Sequence, residues 1–169
     1  MLLHSSTDGH TVKIMQYIAN YLADKASCEI VDLNPQPQVR ISDYDRVIVG
    51  ASIRYGKFNE KMYEFVSRHK AGLEAVNAAY FGVNLTARTP GKDDPATSPY
   101  FKKFRKQSPW QPATTALFAG ALNYSLYGFF DRNMIRFIMK ITGGPTDPKT
   151  NEVFTDWQAV DAFTDRVIA

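Results

Sequence analysis

A short apolar run in the first third of the chain most constrains the fold. Residues 45–52 read Asp-Arg-Val-Ile-Val-Gly-Ala-Ser and have no polar side chain between Val47 and Ala51. A strand with one face in water alternates apolar and polar residues, whereas a parallel strand covered on both faces does not. The run therefore predicts a central strand of a parallel sheet, with helices packed on both faces of that sheet.

Strands and helices alternate along the remaining chain. We expect strands at residues 2–4, 28–33, 45–52, 78–83 and 114–122. We expect helices at residues 11–24 and 59–70, a short basic helix around Phe101, and a last helix that begins with a capping box of Thr155 and Gln158. Segment 34–44 replaces a helix. The alternation predicts one α/β domain over residues 1–169, a three-layer sandwich with a five-stranded parallel sheet in the order 2-1-3-4-5.

The loop after the first strand has the composition of a phosphate site. It is rich in hydroxyls, contains one glycine and opens a helix, so that N–H groups, hydroxyls and a helix dipole converge on one spot. It contains neither GxGxxG nor a Walker lysine. An ordinary turn with hydroxyl caps is the alternative. The candidate phosphate-binding residues are Ser5, Ser6, Thr7, Asp8, Gly9, His10 and Thr11.

Two further loops follow the third and fourth strands and should meet the first loop at the carboxyl edge of the sheet. Tyr55 offers a flat side chain on which an aromatic ring can stack, or it is a surface aromatic. The remaining residues are small or polar and fit the polar edge of a flavin, while Arg54 and Arg88 either attract an anionic substrate or are solvated. The candidate residues are Ser52, Ile53, Arg54, Tyr55, Gly56, Asn84, Leu85, Thr86, Ala87 and Arg88.

Residues 123–152 interrupt the alternation as an insertion near the fifth strand. They contain several aromatic residues and a predicted helix at 131–141, on which Arg132, Arg136 and Lys140 form one stripe. The helix is too short to span a bilayer, but its composition suits a membrane interface that contains anionic lipids. The alternative is that its apolar face packs on the core of the domain.

Composition excludes several classes of protein. The single cysteine, Cys28, rules out a disulfide framework and favours a reducing, cytoplasmic compartment. A net charge of +3 is too small to indicate nucleic-acid binding. The three histidines, His4, His10 and His69, lack the spacing of metal ligands, so we expect no metal site.

Several runs together resemble one group of enzymes over nearly the whole chain. The runs are residues 49–56, 83–88, 119–124, 136–140 and 154–157, of which Gly-Ala-Ser-Ile-Arg-Tyr-Gly is the most specific. They resemble the bacterial quinone-dependent protoporphyrinogen oxidases of the flavodoxin-like family. The resemblance implies a flavodoxin-like fold, an FMN cofactor and the oxidation of protoporphyrinogen IX to protoporphyrin IX in haem biosynthesis. It also implies electron transfer to a membrane quinone (menaquinone or ubiquinone) and a peripheral position on the cytoplasmic side of the inner membrane.

The same resemblance suggests residues for the substrate or the quinone. Protoporphyrinogen carries two propionates, which Arg54, Lys57 and Arg88 can bind. The insertion adds Tyr124, Tyr127, Arg132 and Arg136 as candidates. No residue is an evident general acid or base, and we expect the flavin to carry the chemistry.

Two other functions remain open at this point. One is a flavodoxin-type electron carrier, although such carriers are usually strongly acidic and this chain has a pI near 8.9. The other is an NAD(P)H:quinone reductase, for which the sequence contains no nicotinamide-nucleotide motif.

Overall fold

Five parallel strands form one sheet in the order β2-β1-β3-β4-β5, as predicted. The structure is a computed structural model that describes residues 1–169. β3 is paired on both sides, and four of its five residues are buried, which confirms the central strand. The strands are β1 (Leu2–Ser5), β2 (Ile30–Asp32), β3 (Ile48–Ser52), β4 (Ala79–Asn84) and β5 (Thr115–Ala119).

Helices cover both faces of this sheet, which gives the predicted three layers. One face packs against α2, α3 and α4 around Phe65 and Phe101, and the other packs against α1 and α6 around Ile14 and Phe163. Segment 34–44 holds only a single 3-10 turn, as expected. The helices are α1 (His10–Tyr21), α2 (Glu60–Arg68), α3 (Lys70–Ala75), α4 (Pro99–Gln107), α5 (Phe129–Ile141) and α6 (Trp157–Ile168).

The fifth strand ends earlier than predicted. The chain leaves the sheet at Gly120, whose N–H donates to the carbonyl of Asn84 at 2.9 Å. It then forms β6 (Ala121–Asn123), which pairs in antiparallel fashion with β7 (Asn151–Val153). The insertion therefore leaves and rejoins the domain through a two-stranded ribbon that the sequence did not reveal.

The predicted capping box at the last helix is wrong. The carboxylate of Asp156 caps α6 instead, accepting from the N–H groups of Gln158 at 3.0 Å and Ala159 at 3.1 Å. Thr155 does not cap because its hydroxyl donates to the carbonyl of Ala119 at 2.7 Å. The helix thus begins at Trp157, and the hydroxyl of Thr155 faces β5 and not the helix.

The predicted insertion helix is present, beginning two residues before Asp131. Met139 is its only fully buried residue, and it packs with Leu122, Tyr124 and Tyr127 in a small separate cluster. The apolar side of α5 is therefore largely outside the main core. None of the helices combines the length and the apolar character that crossing a membrane requires.

Candidate cofactor-binding cleft

A cleft of about 490 Å³ opens at the carboxyl edge of the sheet, where β1, β3 and β4 end. The structure brings twelve of the predicted cofactor residues to its walls. They are Ser6, Asp8, His10, Thr11, Ser52, Ile53, Arg54, Tyr55, Gly56, Asn84, Leu85 and Thr86.

The five other predicted cofactor residues are not part of this lining. Ser5 contacts Asn34 through its hydroxyl at 3.3 Å, and the hydroxyl of Thr7 lies 3.3 Å from that of Ser52. Gly9 adopts the left-handed conformation (φ 82°) that starts α1, a conformation that a glycine takes without strain. Ala87 and Arg88 lie in the turn after β4. These residues shape the loops and do not line the cavity.

The start of α1 is suited to an anion. Its first turn has no side-chain cap, because the N-cap residue is Gly9, and the Ser6 hydroxyl accepts from the N–H of Gly9 itself at 3.0 Å. The first N–H groups of a helix have no partner within the helix, and the helix dipole places partial positive charge there. A phosphate group can accept hydrogen bonds from these groups.

Three buried polar atoms on the cleft-lining residues have no hydrogen-bond partner. They are Nδ1 of His10, Oγ1 of Thr11 and Nδ2 of Asn84. The amide of Asn84 is fixed in orientation, since its oxygen accepts from the hydroxyl of Thr86 at 2.9 Å and the N–H of Ala87 at 2.7 Å. Buried polar atoms without partners are rare and costly. A ligand with phosphate oxygens and a polar ring edge, such as FMN, would supply the missing partners, so the residues fit that group.

The guanidinium of Arg54 lies between two carboxylates. It donates to both oxygens of Asp8, at 2.7 and 2.9 Å, and to Asp131 on α5. Burial lowers the pKa of Arg54, but the hydrogen-bonded neighbours outweigh burial and raise it overall. Arg54 therefore stays charged and neutralises an acid in the first loop.

Tyr55 is held at the mouth of the cleft by a tight turn. The backbones of Arg54 and Lys57 exchange hydrogen bonds of 2.9 and 3.0 Å. The two residues between them, Tyr55 and Gly56, have φ values of 51° and 73°, as in a type I′ turn. A bulky residue rarely adopts positive φ, and here the turn keeps Tyr55 54% exposed beside the cavity.

The insertion forms a wall of the cleft through three apolar residues that the sequence analysis did not predict. Met134, Ile135 and Ile138 lie on one side of α5 and line the cavity. Their spacing of one and four residues is a usable signal for a shared helix face. Further lining residues that were not predicted are Val83, Tyr100, Gly120 and Ala121.

Several residues predicted to bind substrate or quinone lie outside the cleft. Arg88 donates to the carbonyl of Leu85 at 2.9 Å and to both oxygens of Thr142, at 3.0 and 2.7 Å, and so holds the end of α5. Tyr124, Arg132 and Arg136 bond to the backbone carbonyls of Pro145, Tyr127 and Thr146 within the insertion. Lys57 is exposed, and Tyr127 alone of the insertion residues predicted for substrate or quinone lines the cavity.

A second, polar depression of about 530 Å³ adjoins the cleft. The two share Thr86 and Tyr100, and Lys92 is the only charged side chain that lines the depression. No group of three His, Cys, Asp or Glu side chains is arranged to hold a metal ion anywhere in the chain.

The sheet order, the anion site after β1 and the aromatic loop after β3 define a flavodoxin-fold protein with a flavin-binding cleft. A family model described as a flavodoxin domain matches residues 1–149. A protoporphyrinogen IX dehydrogenase (quinone) of Leishmania major is 47% identical over 165 residues, which are 96% of this chain and 71% of that protein. The Escherichia coli K12 protein of the same name is 40% identical over 164 residues, which are 96% of this chain and 91% of its own. The chain belongs to the protoporphyrinogen IX dehydrogenase (quinone) family.

Proposed function

We propose that this protein catalyses the FMN-dependent oxidation of protoporphyrinogen IX to protoporphyrin IX in haem biosynthesis and passes the electrons to a quinone. The observation that carries the proposal is the 40–47% identity, over 96% of the chain, to proteins named for that reaction. The cleft supports it independently, because its unpartnered polar atoms and its aromatic loop suit a flavin mononucleotide.

We assign the cofactor contacts from the cleft. The start of α1, with His10 and Thr11, faces the phosphate. Tyr55 stacks on the ring system, and the unpartnered amide of Asn84 donates to an acceptor on the polar edge of the ring. Bound FMN supplies the electron-accepting chemistry that no side chain of the chain can supply.

The apolar wall of α5 faces the position at which a macrocycle has to approach the ring. Met134, Ile135 and Ile138 give that side of the cleft an apolar lining. The Nη atoms of Arg54 and Arg88 are already bonded to protein groups, so these atoms bind propionates only if some of those bonds are given up. Lys57, and Lys92 in the adjoining depression, are the cations best placed to bind the propionates with α5 in place.

The outer side of the insertion suits a peripheral contact with a membrane, from which a lipid-soluble quinone can enter. Phe129, Phe130 and Phe137 are 74%, 84% and 64% exposed. Arg132 and Arg136 lie on the same helix, and anionic lipid attracts each nearby cation by about 1 kcal/mol. Exposed apolar clusters of this kind mark interaction surfaces. We place this surface on the cytoplasmic side of the inner membrane.

An anaerobic spectroscopic experiment tests the proposed reaction. FMN-loaded protein is mixed with protoporphyrinogen IX, and the flavin absorbance is followed before and after a menaquinone or ubiquinone analogue is added. We expect bleaching by the porphyrinogen and recovery with the quinone. Bleaching by NADPH and not by the porphyrinogen would instead identify an NAD(P)H:quinone reductase. Bleaching by neither would favour an electron carrier.

A further inference from the structure

A buried hydrogen-bond chain connects the first loop to the segment before α6. Nε2 of His10 lies 2.6 Å from the hydroxyl of Thr155, and that hydroxyl lies 2.7 Å from the carbonyl oxygen of Ala119. Both side chains are buried, at 9% and 8% exposure. These hydrogen bonds run from His10 on α1 to Ala119 on β5, so they fix the ring of His10 against the sheet.

These hydrogen bonds determine which nitrogen of His10 carries the proton. A carbonyl oxygen only accepts, so the single hydroxyl proton of Thr155 points to Ala119. The contact between His10 and Thr155 then requires a proton on Nε2 of the histidine. A neutral His10 is therefore protonated at Nε2 and has a bare lone pair on Nδ1.

The bare Nδ1 is one of the buried atoms without a partner, on a residue that lines the cleft. The phosphate of FMN is mainly a dianion at neutral pH, because its second pKa is about 6. A dianionic phosphate only accepts hydrogen bonds. A neutral His10 would thus present a lone pair to a ligand that needs a donor, whereas an imidazolium donates from both nitrogens.

We propose that His10 binds the cofactor phosphate as an imidazolium, taking up one proton from solvent as the phosphate enters, while Thr155 holds its Nε2–H. The proposal rests on the assignment of FMN to the cleft. His10 is then a proton-coupled phosphate ligand, and Thr155 is a positioning residue that acts through it.

The charges around His10 support this direction. Burial and, after it, the cation of Lys13 lower the pKa of His10 in the free protein. Asp8 in the same loop is paired with Arg54, and Asp156 before α6 is directed at its own helix. On the side of α6 the ring lies near Trp157, with centroids 6.4 Å apart. A dianion is the one group that would strongly favour the charged ring.

The consequence is a pH dependence of cofactor binding. The ring is neutral in the free protein at neutral pH, and an adjacent dianion raises its pKa. Binding therefore takes up a proton at pH values between the pKa of His10 in the free protein and its pKa in the complex. FMN affinity falls as pH rises within this window, by at most about tenfold per pH unit for one proton.

Calorimetry tests the proton uptake directly. FMN is titrated into the whole protein at pH 7.5 in two buffers of different ionisation enthalpy, with wild type and His10→Gln compared. Riboflavin, which lacks the phosphate, is the control ligand. We expect wild type to take up more protons with FMN than His10→Gln does, and no such difference with riboflavin. Equal uptake by the two proteins overturns the proposal.

A second measurement leaves His10 itself unchanged. Nitrogen-15 NMR of the three histidines reports the tautomer and the pKa of His10 with and without FMN. We expect Nε2–H in the free protein, a pKa that rises on binding, loss of the tautomer preference in Thr155→Val and its return in Thr155→Ser. An Nδ1–H tautomer in the free protein, or a pKa unmoved by FMN, overturns the proposal. If FMN does not bind at all, the proposal fails as well, because the assignment of FMN to the cleft is then wrong. The calorimetric titration identifies this case separately.

Discussion

The carboxylate of Asp131 accepts a hydrogen bond from the phenol hydroxyl of Tyr55. Asp131 belongs to the first turn of α5, and Tyr55 belongs to the loop that follows β3. The same carboxylate pairs with Arg54, which in turn holds Asp8 in the first loop. One half-buried carboxylate thereby fastens the insertion to the loops after β1 and β3.

Replacing this carboxylate should loosen α5 and leave the domain intact. In Asp131→Ala, amide exchange in α5 should become several-fold faster, and FMN should dissociate faster. The melting temperature should fall only slightly, because solvent partly screens this half-buried pair. Hydrogen exchange measured by mass spectrometry, with stopped-flow release of FMN, checks both. Lys70→Ala, which removes an exposed pair with Glu74, is the matched control. Unchanged exchange in α5 would show that Asp131 does not hold the helix.

The pH range of this attachment follows from its two titrating groups. The hydrogen bond from Tyr55, and then the charge of Arg54, lower the pKa of Asp131 below its ordinary 3.8. Because the pKa of Asp131 is lowered, its carboxylate stabilises the attachment fully at pH values above 3.8. This stabilisation is lost as the pH falls through the lowered pKa. The hydrogen bond to Asp131 raises the pKa of Tyr55 above 10. The contribution of the Tyr55 hydroxyl to the attachment is therefore lost only as the pH rises through this raised pKa. Protection of α5, corrected for intrinsic exchange, should therefore stay constant from pH 5 to pH 9.

Tyr55 should contribute directly to cofactor affinity. Aromatic stacking contributes about 0.5–1.5 kcal/mol beyond area burial, so Tyr55→Ala should raise the Kd for FMN by roughly two- to tenfold and shift the flavin potential. Tyr55→Phe keeps the ring and removes the hydroxyl that bonds to Asp131, so its Kd should change less. Fluorescence titration and spectroelectrochemistry give the two quantities. If Tyr55→Ala retains the wild-type Kd and potential, the stacking role is wrong.

Gly50 should be needed for stability and not for chemistry. A Cβ at this position in β3 would overlap the ring of Phe81 and come within 2.6 Å of Met15. Overpacking in a core costs about 1–3 kcal/mol, so Gly50→Ala should lower the free energy of unfolding by about that amount in urea titrations. Gly128→Ala, whose Cβ meets no atom within 4 Å, is the control. Equal stabilities would show that the sheet shifts to make room.

The exposed aromatic residues of α5 should control binding to lipid. Burying a phenylalanine contributes about 1.5–3 kcal/mol when complete, so Phe130→Gln with Phe137→Gln should lower partitioning onto anionic vesicles by at least about tenfold. Neither residue lines the cleft, so FMN affinity should not change. Co-sedimentation measures the partitioning. Unaltered partitioning would exclude this helix as the membrane contact.

The central strand and the converging loops were predictable because their signals are local. An unbroken apolar run can be satisfied only between two layers, and β3 is such a strand. Hydroxyls, glycine and an aromatic residue directly after predicted strands must meet at one sheet edge. The positions of Ser6, Tyr55 and Asn84 around one cavity follow from that rule.

Contacts between distant segments were not predictable in the same way. Arg88 looks like a free cation in the sequence, but its partner Thr142 lies 54 residues away. Thr155 is a good capping residue by pattern, yet the carbonyl of Ala119 competes for its hydroxyl. The side of α5 that lines the cleft carries ordinary apolar residues, so only the fold distinguishes cleft, core and solvent.

The ribbon of β6 and β7 has a consequence for how this family can vary. Ala121 pairs with Val153 and Asn123 with Asn151, so the two ends of the insertion are held side by side whatever lies between them. Doubling the length of a flexible loop adds only about 0.6 kcal/mol of closure entropy. The segment between β6 and β7 can therefore change in length and surface between species, while the ribbon keeps its two ends in place and the sheet beneath it stays undisturbed.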